Sequence, residues 1–235
     1  MSDILILTHT DHCTPGHLAQ VLRAQQLDYQ VLRVDRGELA GVDLDRPKAV
    51  AIMGGAMSVN DPLPWLTTEV EAIQHFLQRD IPMIGHCLGG QLLAKALGAE
   101  VRTMAFQEVG WQRLQHTAQA ANSPWLSHVP GEFELFQWHG DTFDLPPGAQ
   151  HVLTNGWCQN QAFTWGDKVL ALQSHPEMTA ELVDLWLTEA GYLLDASQPS
   201  QQSIAFMREN LPQRIAQLNQ VAEGFYRHWL QLAFA

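Results

Sequence analysis

The chain has 235 residues, 46% of them apolar, and a formal net charge of −12 at pH 7. That length suits one large domain, or one domain with an appendage. The acidic balance argues against nucleic acid and anionic membrane surfaces as partners, and no apolar run approaches the roughly 20 residues of a membrane-spanning helix. The opening residues, MSDILILTHTDH, have no basic stretch ahead of a long apolar one, so no signal peptide is expected and the cytoplasm is the expected location. Three scattered cysteines, Cys13, Cys87 and Cys158, are too few for a disulfide framework.

In chain order, DILILT (3–8) reads as a strand and GHLAQVLRAQQL (16–27) as a helix with apolar residues at helical spacing. YQVLRV (29–34) and AVAIMGG (49–55) read as further strands. In the segment 65–80, Leu66, Val70, Ile73 and Leu77 share one helical face. IPMIGHC (81–87) is a buried strand, and LGGQLLAKALG (88–98) a helix closed by Gly98 as its C′ residue. Alternating β and α elements with strands apolar throughout indicate an α/β fold, an open and mostly parallel sheet flanked by helices.

From Val101 to Ser174 the texture changes. EVGWQRL, FELFQWH, HVLTN, QAFTW and VLALQS are short strand candidates of the same domain, some of them antiparallel, and 179–194 is helical again. Residues 1–194 are thus expected to form the sheet domain. Residues 195–235 are expected to form a polar linker and C-terminal helices, with Pro212 at a break or in a first turn. This tail is suited either to dock on the sheet or to help form a homo-oligomer.

Gly85-His86-Cys87-Leu88-Gly89 has the spacing of a nucleophile elbow with a thiol in place of the hydroxyl. A strand that turns sharply into a helix strains the nucleophile's backbone and crowds the residues two before and two after it, which glycine relieves. The sulfur is then exposed above the sheet at a helix N-terminus, where the dipole favours thiolate. Cys13 and Cys158 lack this setting and read as structural. His12 and His17 flank Cys13 at a spacing that matches no structural zinc pattern.

A thiolate nucleophile calls for a histidine base oriented by a third group. His175 follows an apolar strand, and Pro176 holds it in extended geometry. Residues i and i+2 of extended chain project to the same side, so Glu177 can reach the imidazole of His175. His86, beside the nucleophile, is expected to point away from it. An oxyanion needs N–H donors: Leu88 at the start of its helix is one, and the Gly54-Gly55 pair after the third strand offers the other at Gly55. Gly55, Cys87 and His175 all fall just beyond strand ends, where open α/β sheets bind ligands.

The pieces GGAMSVND, GHCLGGQ, EVGW, WHGDTFDLP and LQSHPE, in this order across roughly residues 45–180, resemble the class I, or triad-type, glutamine amidotransferases. The similarity is greatest to free-standing proteins like the amidotransferase domain of guanylate (GMP) synthetase. This resemblance implies a flavodoxin-like core with Cys87 as nucleophile, His175 as base and then acid, Glu177 as orienting carboxylate, and Gly55 and Leu88 as oxyanion donors. It also implies that Gln91 helps hold the substrate's α-amino acid end, which the backbone around His139 and Gly140 lines. Three positions depart from the pattern: Ala56 for a common proline, His86 for an aliphatic residue and Ser174 for an aromatic one.

The implied reaction is hydrolysis of the glutamine side-chain amide through a γ-glutamyl thioester, with no metal or organic cofactor. The residues beyond Leu194 are too few for a synthetase domain of their own, so the ammonia would go to a separate synthetase subunit. A second reading changes the leaving group, as in a γ-glutamyl peptidase or hydrolase acting on small γ-glutamyl compounds. A third is a catalytically idle regulatory module, against which an intact Cys87, His175 and Glu177 argue.

Overall fold

Five consecutive buried residues, Ile4–Thr8, form strand β1, whose side chains divide between two cores: Ile4 and Ile6 face one, Leu5 and Leu7 the other. Only a strand covered on both faces needs apolar residues at every position. In this computed structural model, which describes residues 2–195 and 197–234, β1 is followed by α1 (Gly16–Ala24), β2 (Tyr29–Arg33), β3 (Ala49–Ile52), α2 (Pro64–Gln78), β4 (Met83–His86) and α3 (Leu88–Ala96). Then come β5 (Val101–His116), β6 (Glu132–Phe143), β7 (Ala149–Thr154), β8 (Ala162–Trp165), β9 (Val169–Leu172), α4 (Ala180–Glu189), α5 (Ile204–Arg208) and α6 (Leu211–Phe234).

Among the described residues the strands form one sheet in the order β2-β1-β3-β4-β9-β8-β7-β5-β6. The first five run parallel, and the rest are joined by antiparallel pairings. This is the expected α/β sheet, with β2-β1-β3-β4-β9 in the flavodoxin-like order. Local chemistry sets the helix ends. Pro64 opens α2 at a position with no N–H to lose, and the Thr179 hydroxyl caps α4 by accepting from the Leu182 N–H at 3.3 Å. Beyond α3, Gly98 at φ +85° donates to the Lys95 carbonyl while Ala99 donates to that of Ala94, a Schellman closure.

Two features exceed the sequence reading. EVGWQRL is only the centre of β5, whose register with β6 shifts between Thr103 and Glu108, so that Met104 to Gln107 leave the ladder. The tail docks on its own sheet: Leu218, Phe225, Tyr226 and Trp229 of α6 are fully buried in the same core as Ile4 and Ile6. The Trp229 indole N–H donates to the Pro82 carbonyl at 3.1 Å. Pro212 lies in the first turn of α6. Among the described residues, no helix is long and apolar enough to cross a membrane.

Candidate active site

Cys87 occupies the corner between β4 and α3 at φ +48°, ψ −107°, a region costing a non-glycine residue roughly 1–3 kcal/mol. Its surroundings impose the turn. The Cys87 N–H donates to the Leu172 carbonyl at 2.8 Å. A Cβ on Gly85 would come within 2.5 Å of the Gly89 carbonyl oxygen, and one on Gly89 would collide with the Ile52 carbonyl. A Cβ on Gly90 would press on the Leu172 carbonyl at 2.5 Å. Helix α3 therefore sits directly on the ends of β3 and β9, an approach open only to glycine.

Strand order brings the remaining groups together. β4 pairs with β3 on one side and β9 on the other, so Gly54-Gly55, Cys87 and His175 follow the ends of three adjacent parallel strands. An ideal Cβ on Gly54 would lie 2.8 Å from Cε1 of His175 and 3.8 Å from Cβ of Cys87, so the imidazole and the thiol-bearing carbon flank the same point. The His175 N–H donates to the Phe136 carbonyl at 2.9 Å, and Trp186 of α4 packs edge-on against the imidazole at 4.8 Å. Nδ1 of His175 binds Oε1 of Glu177 at 2.8 Å.

Nε2 of His175 is buried and has no hydrogen-bond partner among the described residues. The Cys87 thiol itself donates to the Trp138 carbonyl at 3.7 Å. Burial opposes the charged imidazole, but the charges of Glu177 and then Cys87, with the hydrogen bond to Glu177, raise its pKa well above the ordinary value. Burial alone would push Glu177 up. The charges of His175 and then His86 outweigh that and hold its carboxyl below the ordinary carboxylate range.

Thiol and imidazole open onto a cavity of about 590 Å³, whose wall also includes Gly55, Gln91, His139 and Gly140. The Gln91 amide donates to the Asp141 carbonyl at 3.3 Å and to Oε1 of Gln173 at 3.1 Å. The His139 ring is held in the wall, Nδ1 to the Asp141 carbonyl at 2.9 Å and Nε2 to the buried Glu108 at 3.0 Å. The His139 backbone faces Glu108 in the β5–β6 ladder. Cys158 is buried beside the Thr142 hydroxyl, with its thiol pushed up to about 11 by burial. Cys13, read as structural, lies in the cavity wall, and burial raises its pKa too.

Four residues with a place around the site carried no functional reading in the sequence. His86 meets the triad, with Nδ1 3.1 Å from Oε2 of Glu177, an ion-pair distance without in-line hydrogen-bond geometry. Gly16, at φ +45°, lets the His17 N–H reach the Glu177 carbonyl at 2.8 Å, where any Cβ would strike that oxygen. His9 and Glu69 pair behind Gly54. The available signal for His9 was its place just past β1, the strand beside β3.

The sequence pattern described as "Glutamine amidotransferase class-I" matches residues 15–192. The chain belongs to the class I glutamine amidotransferase family. Among its relatives, the glutamine amidotransferase-like protein YfeJ of Salmonella typhimurium is 27% identical over 86% of this chain and 85% of its own. The glutamine-hydrolyzing GMP synthase of Thermomicrobium roseum is 34% identical over 56% of this chain, a match that spans only 24% of the synthase. A glutamine amidotransferase from Methylobacillus flagellatus has a structure similar to this amidotransferase at TM-score 0.92, with 39% identity, covering 97% of this chain and 94% of that one. A glutamine amidotransferase from Thermotoga maritima superposes at 0.85, with 28% identity, covering 99% and 98%.

Proposed function

We propose that this amidotransferase hydrolyses a γ-glutamyl amide through a thioester on Cys87, with glutamine as substrate and ammonia passed to a separate synthetase. The reading is carried by the unpartnered Nε2 of His175, buried in a cavity it shares with the thiol while Nδ1 is occupied by Glu177. An imidazole so arranged accepts the thiol proton, and Glu177 stabilises the resulting imidazolium. The sulfur attacks the side-chain carbonyl, and the oxyanion rests on the N–H groups of Gly55 and Leu88. His175 gives its proton to the departing nitrogen as the C–N bond breaks. The same imidazole then draws a proton from water, whose oxygen displaces sulfur to release glutamate. Gln91 and the backbone at His139 and Gly140 hold the α-amino acid end. Residues 1–194 carry this chemistry, and α6 braces them from behind.

A second reading changes the leaving group, with a γ-glutamyl peptide or conjugate as substrate in place of glutamine. The cavity, which runs from Cys87 out to Phe106 and Leu193, leaves a path for a larger leaving group. The test is ammonia or amine release from L-glutamine and from a panel of γ-glutamyl amides, with Cys87→Ala as control. Turnover of the panel but not of glutamine would reject the ammonia-delivery reading. A Cys87→Ala variant as active as wild type would end both.

A further inference from the structure

Behind the cavity wall, on the far side of Gly54 from His175, lies a buried cluster that the reaction as described does not use. His9, immediately past β1, is 1% exposed, and Glu69 of α2 is not exposed at all. The His9 ring bridges two acceptors, with Nδ1 2.9 Å from the Gly54 carbonyl oxygen and Nε2 2.9 and 3.1 Å from the two oxygens of Glu69. Trp65, one helical turn before Glu69, stacks on the ring with centroids 5.6 Å apart and planes 18° from parallel. On those contacts we infer that His9 is a positioning residue for the oxyanion site: clamped by Glu69, it holds the Gly54-Gly55 peptide plane in the orientation that presents the Gly55 N–H to the substrate oxygen. The inference rests on the thioester chemistry proposed above.

In a trans peptide the carbonyl of one residue and the N–H of the next point to opposite edges of one rigid plane. Fixing the Gly54 carbonyl on His9, away from the cavity, therefore fixes the Gly55 N–H on the opposite edge, where Gly55 itself lines the cavity with Cys87. Rotating this plane changes only ψ of Gly54 and φ of Gly55. With no Cβ on either residue, little opposes such a rotation, and it would aim a carbonyl at the oxygen the site must stabilise. Side chains cannot supply the restraint. A Cβ on Gly54 would press on His175 at 2.8 Å, and one on Gly55 on Leu88 and Met57 at 2.6 Å. The restraint must come from a hydrogen bond to the carbonyl.

Donor counting makes the bond robust. A carbonyl only accepts, so Nδ1 of His9 carries a proton. Either the ring carries a second proton opposite an ionised Glu69, or a neutral Glu69 donates to Nε2. Both forms keep the bond to Gly54. Burial opposes charge on His9, but Glu69 and then the Gly54 carbonyl more than offset it and raise the imidazole pKa.

The test compares kcat and KM on L-glutamine and γ-glutamyl-p-nitroanilide in three variants. His9→Phe with Glu69→Leu removes the donor and its charged partner together, avoiding an unpaired buried carboxylate. It is expected to lower kcat about 100-fold with KM nearly unchanged, the signature of a lost oxyanion contact. Glu69→Gln, whose amide donates to Nε2 and leaves Nδ1–H in place, is expected to stay within about threefold of wild type. Cys87→Ala separates the levels. If it is inactive while the double variant keeps wild-type kcat, the clamp is wrong and the thioester chemistry stands; if it is fully active, the chemistry itself falls. One readout needs neither turnover nor a folded variant. In 15N-labelled wild-type protein, a slowly exchanging ring proton on Nδ1 of His9 is expected, and a bare Nδ1 would overturn the inference.

Discussion

Nδ1 of His86 lies 3.1 Å from Oε2 of Glu177, while Oε1 of that carboxylate binds His175 at 2.8 Å. One buried carboxylate thus faces two imidazoles, and the second comes from the residue directly before the nucleophile. Replacing His86 with valine, a β-branched residue suited to a buried strand, removes one of the charges that hold Glu177 down. Glu177 is expected to protonate at higher pH, moving the acid limb of the kcat/KM profile upward. At pH 8 the rate should stay within about threefold of wild type, because the carboxylate is ionised there in both. An unmoved acid limb would contradict this.

The triad should also shape stability against pH. Glu177 is depressed, so its contribution is present above its unfolded pKa, about 4.3, and is lost as pH falls through the folded value. His175 is raised, so its contribution is complete below its unfolded pKa, about 6.5, and is lost as pH rises through the folded value. Between those limits both contributions are intact. Thermal unfolding of wild type and Glu177→Gln across pH should show both slopes reduced in the variant; parallel curves would refute the assignment.

Gly16→Ala should be costly where Gly37→Ala is mild. Both glycines have positive φ, +45° and +78°, but a Cβ on Gly16 would strike the Glu177 carbonyl while nothing lies within 4 Å of one on Gly37. Denaturant unfolding should give about 1–2 kcal/mol for Gly37→Ala and roughly 2–4 kcal/mol for Gly16→Ala. The latter should also lower turnover, since the displaced segment carries Glu177.

Thiol alkylation should discriminate among the cysteines. Cys158 is 3% exposed with its pKa pushed up to about 11, so iodoacetamide at pH 8 should leave it unmodified in the native protein. Cys87 should be the first labelled and its modification should abolish activity. Mass spectrometry reads both outcomes, and prior labelling of Cys158 would contradict the burial argument.

The Tyr226 hydroxyl of α6 is buried without a hydrogen-bond partner among the described residues, and its ring lies 5.9 Å from that of His86. Burial, and then the charge of Glu177, raise the phenol well above its ordinary pKa. Tyr226→Phe deletes the unsatisfied group and keeps the packing, so stability should be unchanged or higher by about 1 kcal/mol. A loss of more than about 1 kcal/mol would show that the hydroxyl has a partner.

What could be read from the sequence was local. A glycine on each side of Cys87, an apolar strand before it and a helix after it specify an elbow, because crowding there arises within a few residues of chain. His175 and Glu177 do meet, Nδ1 to Oε1 at 2.8 Å, but across a turn closed by the Met178 N–H on the His175 carbonyl rather than along the extended backbone expected from the sequence. Alternating β and α segments likewise announced a sheet covered on both faces.

Tertiary structure decided whatever depends on strand order and on contacts between distant segments. His9 meets Gly54 and Glu69 across 45 and 60 residues of chain; the pairing of β1 with β3 brings it beside Gly54, and the packing of α2 supplies Glu69. His86 could be expected to avoid the thiol, but that it would settle on Glu177 depends on β9 lying beside β4. The amphipathic pattern of α6 announced a face to bury without naming its partner, since apolar attraction has no direction. Periodicity and sterics act along the chain, whereas the partner of a buried polar group is chosen by the whole fold.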